Sequence, residues 1–378
     1  NPLFNLSVTN TNASGVTLGG SGFQVQNFSI ANGSTFNLVN QTLPIAGTYT
    51  NSGTLNGNGG TSGTLEFNGT SGAQSLNIGA YVGSLLNRLR VNNAAGLTLT
   101  APLNVNAGTT PLILSSGLLN TDATNILTVT STAALTGSAT SYVNGPMRRR
   151  IPNNQTAALT LLFPIGKGSY NQFEMVNPKT GTTGATVDIQ AEVVDAAAGG
   201  TAGIGFTASP DPNRHWRTSV VNGSANFTFP GTIRLLDASV TISGTSAIGF
   251  STTQTGAYNT IGGTAPNSPA TGNITSVASP STSMGFFKIA TAACVSGTYT
   301  VGPTGDFARL TEAVAFLNAA LVCNDVVFEL QSNYNGTNEV FPVTLNAVNY
   351  NAGGPYNVTF RPAAGATNLV TTGTPASG

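Results

Sequence analysis

One histidine, two cysteines, 13 acidic and 13 basic side chains are all that this 378-residue chain offers for acid–base, nucleophilic or metal chemistry. A Ser-His-Asp or Cys-His arrangement needs a histidine beside its nucleophile. His215, in Asn213-Arg214-His215-Trp216-Arg217, has no serine or cysteine near it in sequence. Its surroundings read as a strand with Trp216 turned inward, so a structural role is expected for it. Two cysteines and one histidine far apart make no zinc pattern. The nearest approach to a calcium loop is Asn120, Asp122 and Asn125, which reads as a plain polar turn before it reads as a cation site.

Phosphate chemistry fares no better. Gly203-Ile204-Gly205 is followed by Ala208 where a third glycine would stand, and no Gly-Lys-Ser/Thr triplet follows a glycine-rich loop. A glycan-cleaving solenoid needs paired carboxylates on neighbouring coils, yet residues 1–143 hold a single Glu66 and a single Asp122. The densest charge is Arg148-Arg149-Arg150. Strand alternation puts Arg148 and Arg150 on one side and Arg149 on the other, which predicts a solvated interdomain edge more readily than a recognition patch. No catalytic, cofactor-binding or metal-binding residue is expected. Cys294 and Cys323 flank a helical stretch and have no metal-ligating companions, which favours a disulfide in an oxidising compartment over two separate buried thiols.

The elements that would position these groups are mostly strands. Residues 1–143 show short runs with period-two alternation between Gly and Asn turns, among them Phe4-Asn5-Leu6-Ser7-Val8, Thr64-Leu65-Glu66-Phe67, Leu89-Arg90-Val91 and Leu97-Thr98-Leu99. An internal repeat pairs Asn5-Leu6-Ser7-Val8-Thr9-Asn10 with Arg88-Leu89-Arg90-Val91-Asn92-Asn93, and each copy is followed by a Gly-x-Thr-Leu run. A unit this short cannot bury its apolar face alone, so stacked coils of a parallel β-solenoid, roughly 20 residues each, are expected. Stacking also explains the composition. Only 7% of residues are charged, whereas Asn, Ser and Thr make up about a third. Like charges on successive coils repel, but uncharged polar side chains stack freely.

Charge returns near Met147, and from 144 to 292 the strands lengthen, with turn signals every eight to fifteen residues; this predicts an antiparallel β-sandwich. Residues 293–378 predict a helix over 307–321, with Leu310, Val314, Leu317 and Leu321 on one face and Asp306 capping its start. Three β runs beginning at Val326, Phe341 and Tyr356 follow at a 15-residue spacing, which suggests the first coils of a second parallel β-helix continuing beyond the segment. The overall expectation is an all-β chain: solenoid, sandwich, then a helix-capped second β-helix.

Zero net charge with so few cations leaves nothing to neutralise a phosphate backbone, which excludes nucleic acid as an expected partner. No apolar run is long enough to cross a bilayer. The chain opens on Asn1-Pro2-Leu3-Phe4 without an initiator methionine or export segment, as a piece of a longer protein would.

Three groups of residues resemble the large repetitive surface proteins of Bacteroidota exported by type IX secretion, including gliding adhesins of the SprB type. The first is Gly63-Thr64-Leu65-Glu66-Phe67-Asn68-Gly69-Thr70 with Leu89-Arg90-Val91-Asn92-Asn93. The second is Tyr142-Val143-Asn144-Gly145-Pro146-Met147 with Phe163-Pro164-Ile165-Gly166-Lys167 and Arg214-His215-Trp216. The third is Gly297-Thr298-Tyr299-Thr300-Val301-Gly302 with Leu310-Thr311-Glu312-Ala313-Val314 and Val326-Val327-Phe328. The resemblance implies display at the cell surface, attached to the outer membrane, and a role in adhesion, gliding or filament building. Its implied partners are the secretion and attachment machinery, surface polysaccharide and neighbouring modules of the same chain. It transfers no functional residues, because these motifs are strand-and-turn signatures. Two other functions are weighed against the stalk: a β-helix enzyme acting on polysaccharide, and an ice- or crystal-binding surface built from Thr98, Thr100, Thr128 and Thr130.

Overall fold

A computed structural model describes residues 3–366 except positions 21, 58, 183, 196–198, 204, 207–212, 239, 241, 243–244, 264–272, 277–283, 337–338, 347 and 351–354. The chain divides into two units: Asn1–Asp195 with Trp216–Val240 and Ser281–Gly285, and Ala196–His215 with Thr241–Pro280 and Phe286–Gly378.

The first unit begins as a parallel β-solenoid. Strands Leu3–Val8, Val25–Ile30, Thr42–Ile45, Thr64–Phe67, Arg88–Asn92 and Leu112–Ser116 stack in one parallel ladder. Gln74–Leu76, Leu97–Leu99, Leu119–Asn120, Val143–Asn144 and Ile165–Lys167 form another. Register partners such as Val25 and Ile45, or Leu65 and Leu89, lie 20 to 24 residues apart, which is the coil length the alternating runs imply. Because the ladder is in register, like side chains sit above like. Leu43, Leu65, Leu89 and Leu112 make one inward column, none more than 3% exposed. Each coil therefore buries its aliphatic face against two neighbours, at about 2 kcal/mol per side chain.

Polar side chains form columns too. Asn27 donates its amide to Asn5 at 2.8 Å, Asn56 to Asn37 at 2.9 Å, and Asn144 to Asn120 at 2.9 Å. Where charge does enter the stack, it alternates in sign: Glu66 and Arg90 are register partners and pair at 3.3 Å, with Asn92 donating to the same carboxylate. This is the arrangement that repulsion between stacked like charges demands.

The step in charge near residue 147 falls inside the first unit, where ladder direction changes. Met147–Ile151 pairs parallel with Leu127–Val129 on one side and antiparallel with Val187–Asp195 on the other. Antiparallel neighbours bring opposite charges face to face, as in Arg150 with Asp188 at 2.7 Å and Glu174 with Arg234 at 2.6 Å. Thr160–Phe163, Phe173–Val176 and Thr232–Leu236 form an antiparallel sheet around Phe163, Phe173, Met175, Ile233 and Leu235, all fully buried. Beside this sheet a 3₁₀ turn, Ser224–Asn226, leads into the short strand Phe227–Thr228.

In the second unit Ser246–Ser251 lies antiparallel between Phe286–Thr291 and Ala257–Thr260. Downstream, Cys294–Val301, Leu321–Leu330 and Val358–Pro362 run parallel, with a helix, Leu310–Ala319, in the first crossover. It is the one α-helix among the described residues, and no helix there is long and apolar enough to cross a membrane.

This helix corrects two expectations. It is shorter than 307–321, and Asp306 does not cap it, because the Asp306 carboxylate instead accepts the Thr300 amide and hydroxyl. Its first turn is held by Glu339, whose carboxylate accepts the backbone amides of Leu310 and Thr311, the Thr311 hydroxyl and the Tyr334 phenol. The run beginning at Phe341 is not a strand. Pro342 has no N–H to give a ladder, and the partner of Val326 is Val358, 32 residues on, so the repeat is about twice the 15-residue spacing.

Desolvation pushes the Glu339 carboxyl up, but the hydrogen bonds from Thr311, Tyr334 and Leu310 outweigh it and leave it below its ordinary value. A carboxylate depressed in the folded state contributes stability above its unfolded pKa and loses it as pH falls through the folded one. Glu339→Ala is therefore expected to cost about 1 kcal/mol at neutral pH. The difference from the parent should shrink below the ordinary carboxylate range. Thermal melts of both proteins at a series of pH values check this; a gap that stays constant down to acid pH would contradict it.

Candidate functional site

The structure scatters the chemically competent residues. His215 is 1% exposed in the strand Arg214–Asn222, with its ring 5.7 Å from that of Phe286. Trp216 is buried as well, and its indole N–H donates to the Asn171 carbonyl at 3.0 Å. Among the described residues, no group of three or more His, Cys, Asp or Glu side chains is placed to hold a metal ion. Of the glycine-rich stretch, Ile204 and Ala208 lie outside the described residues.

Asp122 is the centre of a turn. One carboxylate oxygen accepts the Thr124 amide and hydroxyl and the Asn125 amide at 2.7–2.8 Å, and the other accepts the Asn125 side chain at 2.8 Å. These bonds, from Asn125 first and then Thr124, hold the carboxyl well below the usual range. Asn120 belongs instead to the polar column with Thr98 and Asn144. The cluster is thus a self-satisfied polar turn.

The arginine run departs most from expectation. Arg149 is not on a solvated edge: it is fully buried, while Arg148 donates to Gln190 and Arg150 makes a forked pair with Asp188. The register explains this. Val105, Val129 and Arg149 are successive members of one inward column, so the guanidinium stands where the next aliphatic side chain would be. It donates to the carbonyls of Leu162 at 2.7 Å, Ala133 at 2.6 Å and Ser131 at 3.3 Å. Burial pushes it down to about 9, which leaves it cationic at neutral pH. Among the described residues no carboxylate pairs with it, and its charge is met by carbonyl dipoles. The alternation of Met147, Arg149 and Ile151 carried this signal in the sequence.

Two surface clefts stand out. One, of about 570 Å³, is lined by Pro303, Ala308, Arg309, Glu312 and Tyr334, and its acid is held by Arg309 in an i, i+3 pair. The other, of about 470 Å³, lies in the solenoid wall between Ala46–Thr50 and Ser71–Ser75. Thr48, Thr50, Ser71 and Ser75 line it together with apolar Ala46 and Ala73, and its Gln74 has both ends engaged, with Gly69 and Asn93 on the oxygen and Ile45 and Gly47 on the nitrogen. Neither cleft joins a nucleophile to a base.

The threonines considered for ice binding do not stack on one another. Thr98 aligns with Ser75 and Asn120, and Thr128 with Asn104 and Arg148. Cys294 and Cys323 are joined in a disulfide with their Cα atoms 5.5 Å apart. No family model matches the chain, and no curated protein or solved structure matches it either.

Proposed function

We propose that the chain is a structural and adhesive stalk segment of a large protein displayed at the bacterial surface, with surface polysaccharide or neighbouring modules of its own chain as partners. The observation that carries this reading is the parallel stacking of the solenoid coils, which sets aliphatic side chains above one another from coil to coil. Inward positions are aliphatic columns, outward asparagines are bonded coil to coil, and Glu66 and Arg90 pair across neighbouring coils. Such a stack spends its residues on holding a shape and keeps few for chemistry. The likeness of its strand-and-turn motifs to type IX-exported gliding adhesins supports surface display, and a disulfide suits an oxidising compartment. In the same reading, the antiparallel sheets after Met147 form a sandwich module, and the parallel strands after Cys294 open a second β-helix.

The groove between Ala46–Thr50 and Ser71–Ser75, with Thr48, Thr50, Ser71 and Ser75 among its lining residues, suits a sugar chain, whose hydroxyls would exchange hydrogen bonds with theirs. Incubating the chain with a panel of bacterial and algal polysaccharides tests the reading, with retention and product release both measured. Retention without new reducing or unsaturated ends is expected. Depolymerisation of any member would instead support the enzyme.

A further inference from the structure

The chain has two cysteines, and the disulfide between them closes a loop around its helix. Cys294 opens the strand Cys294–Val301, and Cys323 lies in the strand Leu321–Leu330 stacked on it. The loop contains the rest of the first strand, the helix Leu310–Ala319 and the return to Leu321 and Val322. It also supplies Val295, Val301, Ala313, Leu317, Ala320 and Val322 to one buried core. The bond sits where this coil begins, close to the smaller cluster of Phe206, Ala247, Ala292 and Leu321, against which Cys323 packs.

We infer that the Cys294–Cys323 bond is a tension shunt: a pull along the chain passes from Cys294 straight to Cys323 and leaves the helical coil unloaded. The inference rests on the stalk reading for its purpose, but not for its mechanics. Without the bond, a pull would reach the helix through the strand Cys294–Val301, whose ladder with Leu321–Leu330 is parallel and carries a register shift between Val295 and Gly297. The helix is then exposed to load, because it is ten residues long and its first turn is tied mainly to Glu339. With the bond in place, residues 295–322 lie off the path of force. The stretch Val326–Leu330, on which the strand Val358–Pro362 stacks, lies after Cys323 and stays on the path, so what the bond shields is the helix and the strand Cys294–Val301 that leads into it.

Single-molecule pulling on the full chain tests this by comparing the oxidised protein, the same protein with reductant, and Cys294→Ser/Cys323→Ser. Twenty-nine residue steps span about 100 Å when extended. The oxidised protein should reach a fully extended length shorter by about that amount than the other two. Adding reductant to an oxidised molecule held at constant force should release the difference in one step. Equal lengths in all three proteins would overturn the shunt, as would labelling of both thiols in the protein isolated without reductant. Either result leaves the stalk reading standing, since that reading is tested by glycan retention and surface display.

Discussion

Replacing Arg149 by alanine should cost the first unit about 4 kcal/mol or more. Two effects add. Removing the side chain leaves a void in the buried column between Val129 and Ile189, and large-to-small changes in a core cost about 2–5 kcal/mol. The carbonyls of Leu162, Ser131 and Ala133 also lose their donor, at roughly 1–3 kcal/mol for each one left dry. One effect opposes them, because a buried cation without a carboxylate partner is itself costly. Arg149→Met separates the contributions: it keeps most of the volume and removes the charge, so its loss should be smaller than that of alanine. Arg149→Lys keeps the charge but not the planar fork that reaches three carbonyls, and should also destabilise. Denaturant midpoints of the four proteins decide the order. An alanine variant as stable as the parent would mean that the guanidinium does not hold this end of the solenoid together.

Gly117→Ala is the second large effect. Gly117 has φ +76°, in the left-handed region, and a Cβ built there lies 1.8 Å from the backbone oxygen of Asn93 on the neighbouring coil. Asn93 cannot yield readily. It is 1% exposed, its side chain donates to Gly72 and Gln74, and its carbonyl accepts the Gly96 amide. The methyl group therefore has to push two coils apart, against the register that both depend on. A loss of roughly 3 kcal/mol is expected. Gly72→Ala is the matched control, since a Cβ there meets nothing within 4 Å and its φ is unremarkable for any residue; its effect should stay within about 0.5 kcal/mol. Equal midpoints for the two variants would contradict the close approach at Gly117.

Particular residues show why the solenoid was legible and other features were not. Leu43, Leu65 and Leu89 sit in runs whose alternation and spacing are local properties, and stacking simply repeats them. The scarcity of charge in residues 1–143 was legible for the same reason, because a charge there would stand one coil away from the same position of the next coil. The burial of Arg149 was half legible. Alternation puts it opposite Arg148 and Arg150, but charge in a strand ordinarily points to solvent, and only the register with Val129 shows that its side faces inward. Glu339 as the helix cap could not be read at all, since it reaches Leu310 and Thr311 from 28 to 29 residues downstream. Asp306, the obvious local candidate, is drawn off by Thr300. The 15-residue spacing misled because alternation at Phe341 resembles a strand while Pro342 cannot supply the ladder hydrogen bond.

Stalk, disulfide and adhesive groove all depend on the chain being displayed outside the cell. Antibody raised against the folded chain, applied to intact and then to permeabilised cells that produce the natural protein, tests this directly. Labelling of intact cells, undiminished relative to permeabilised ones and lost when protease is added outside, is the result predicted. Labelling that appears only after permeabilisation would contradict the account.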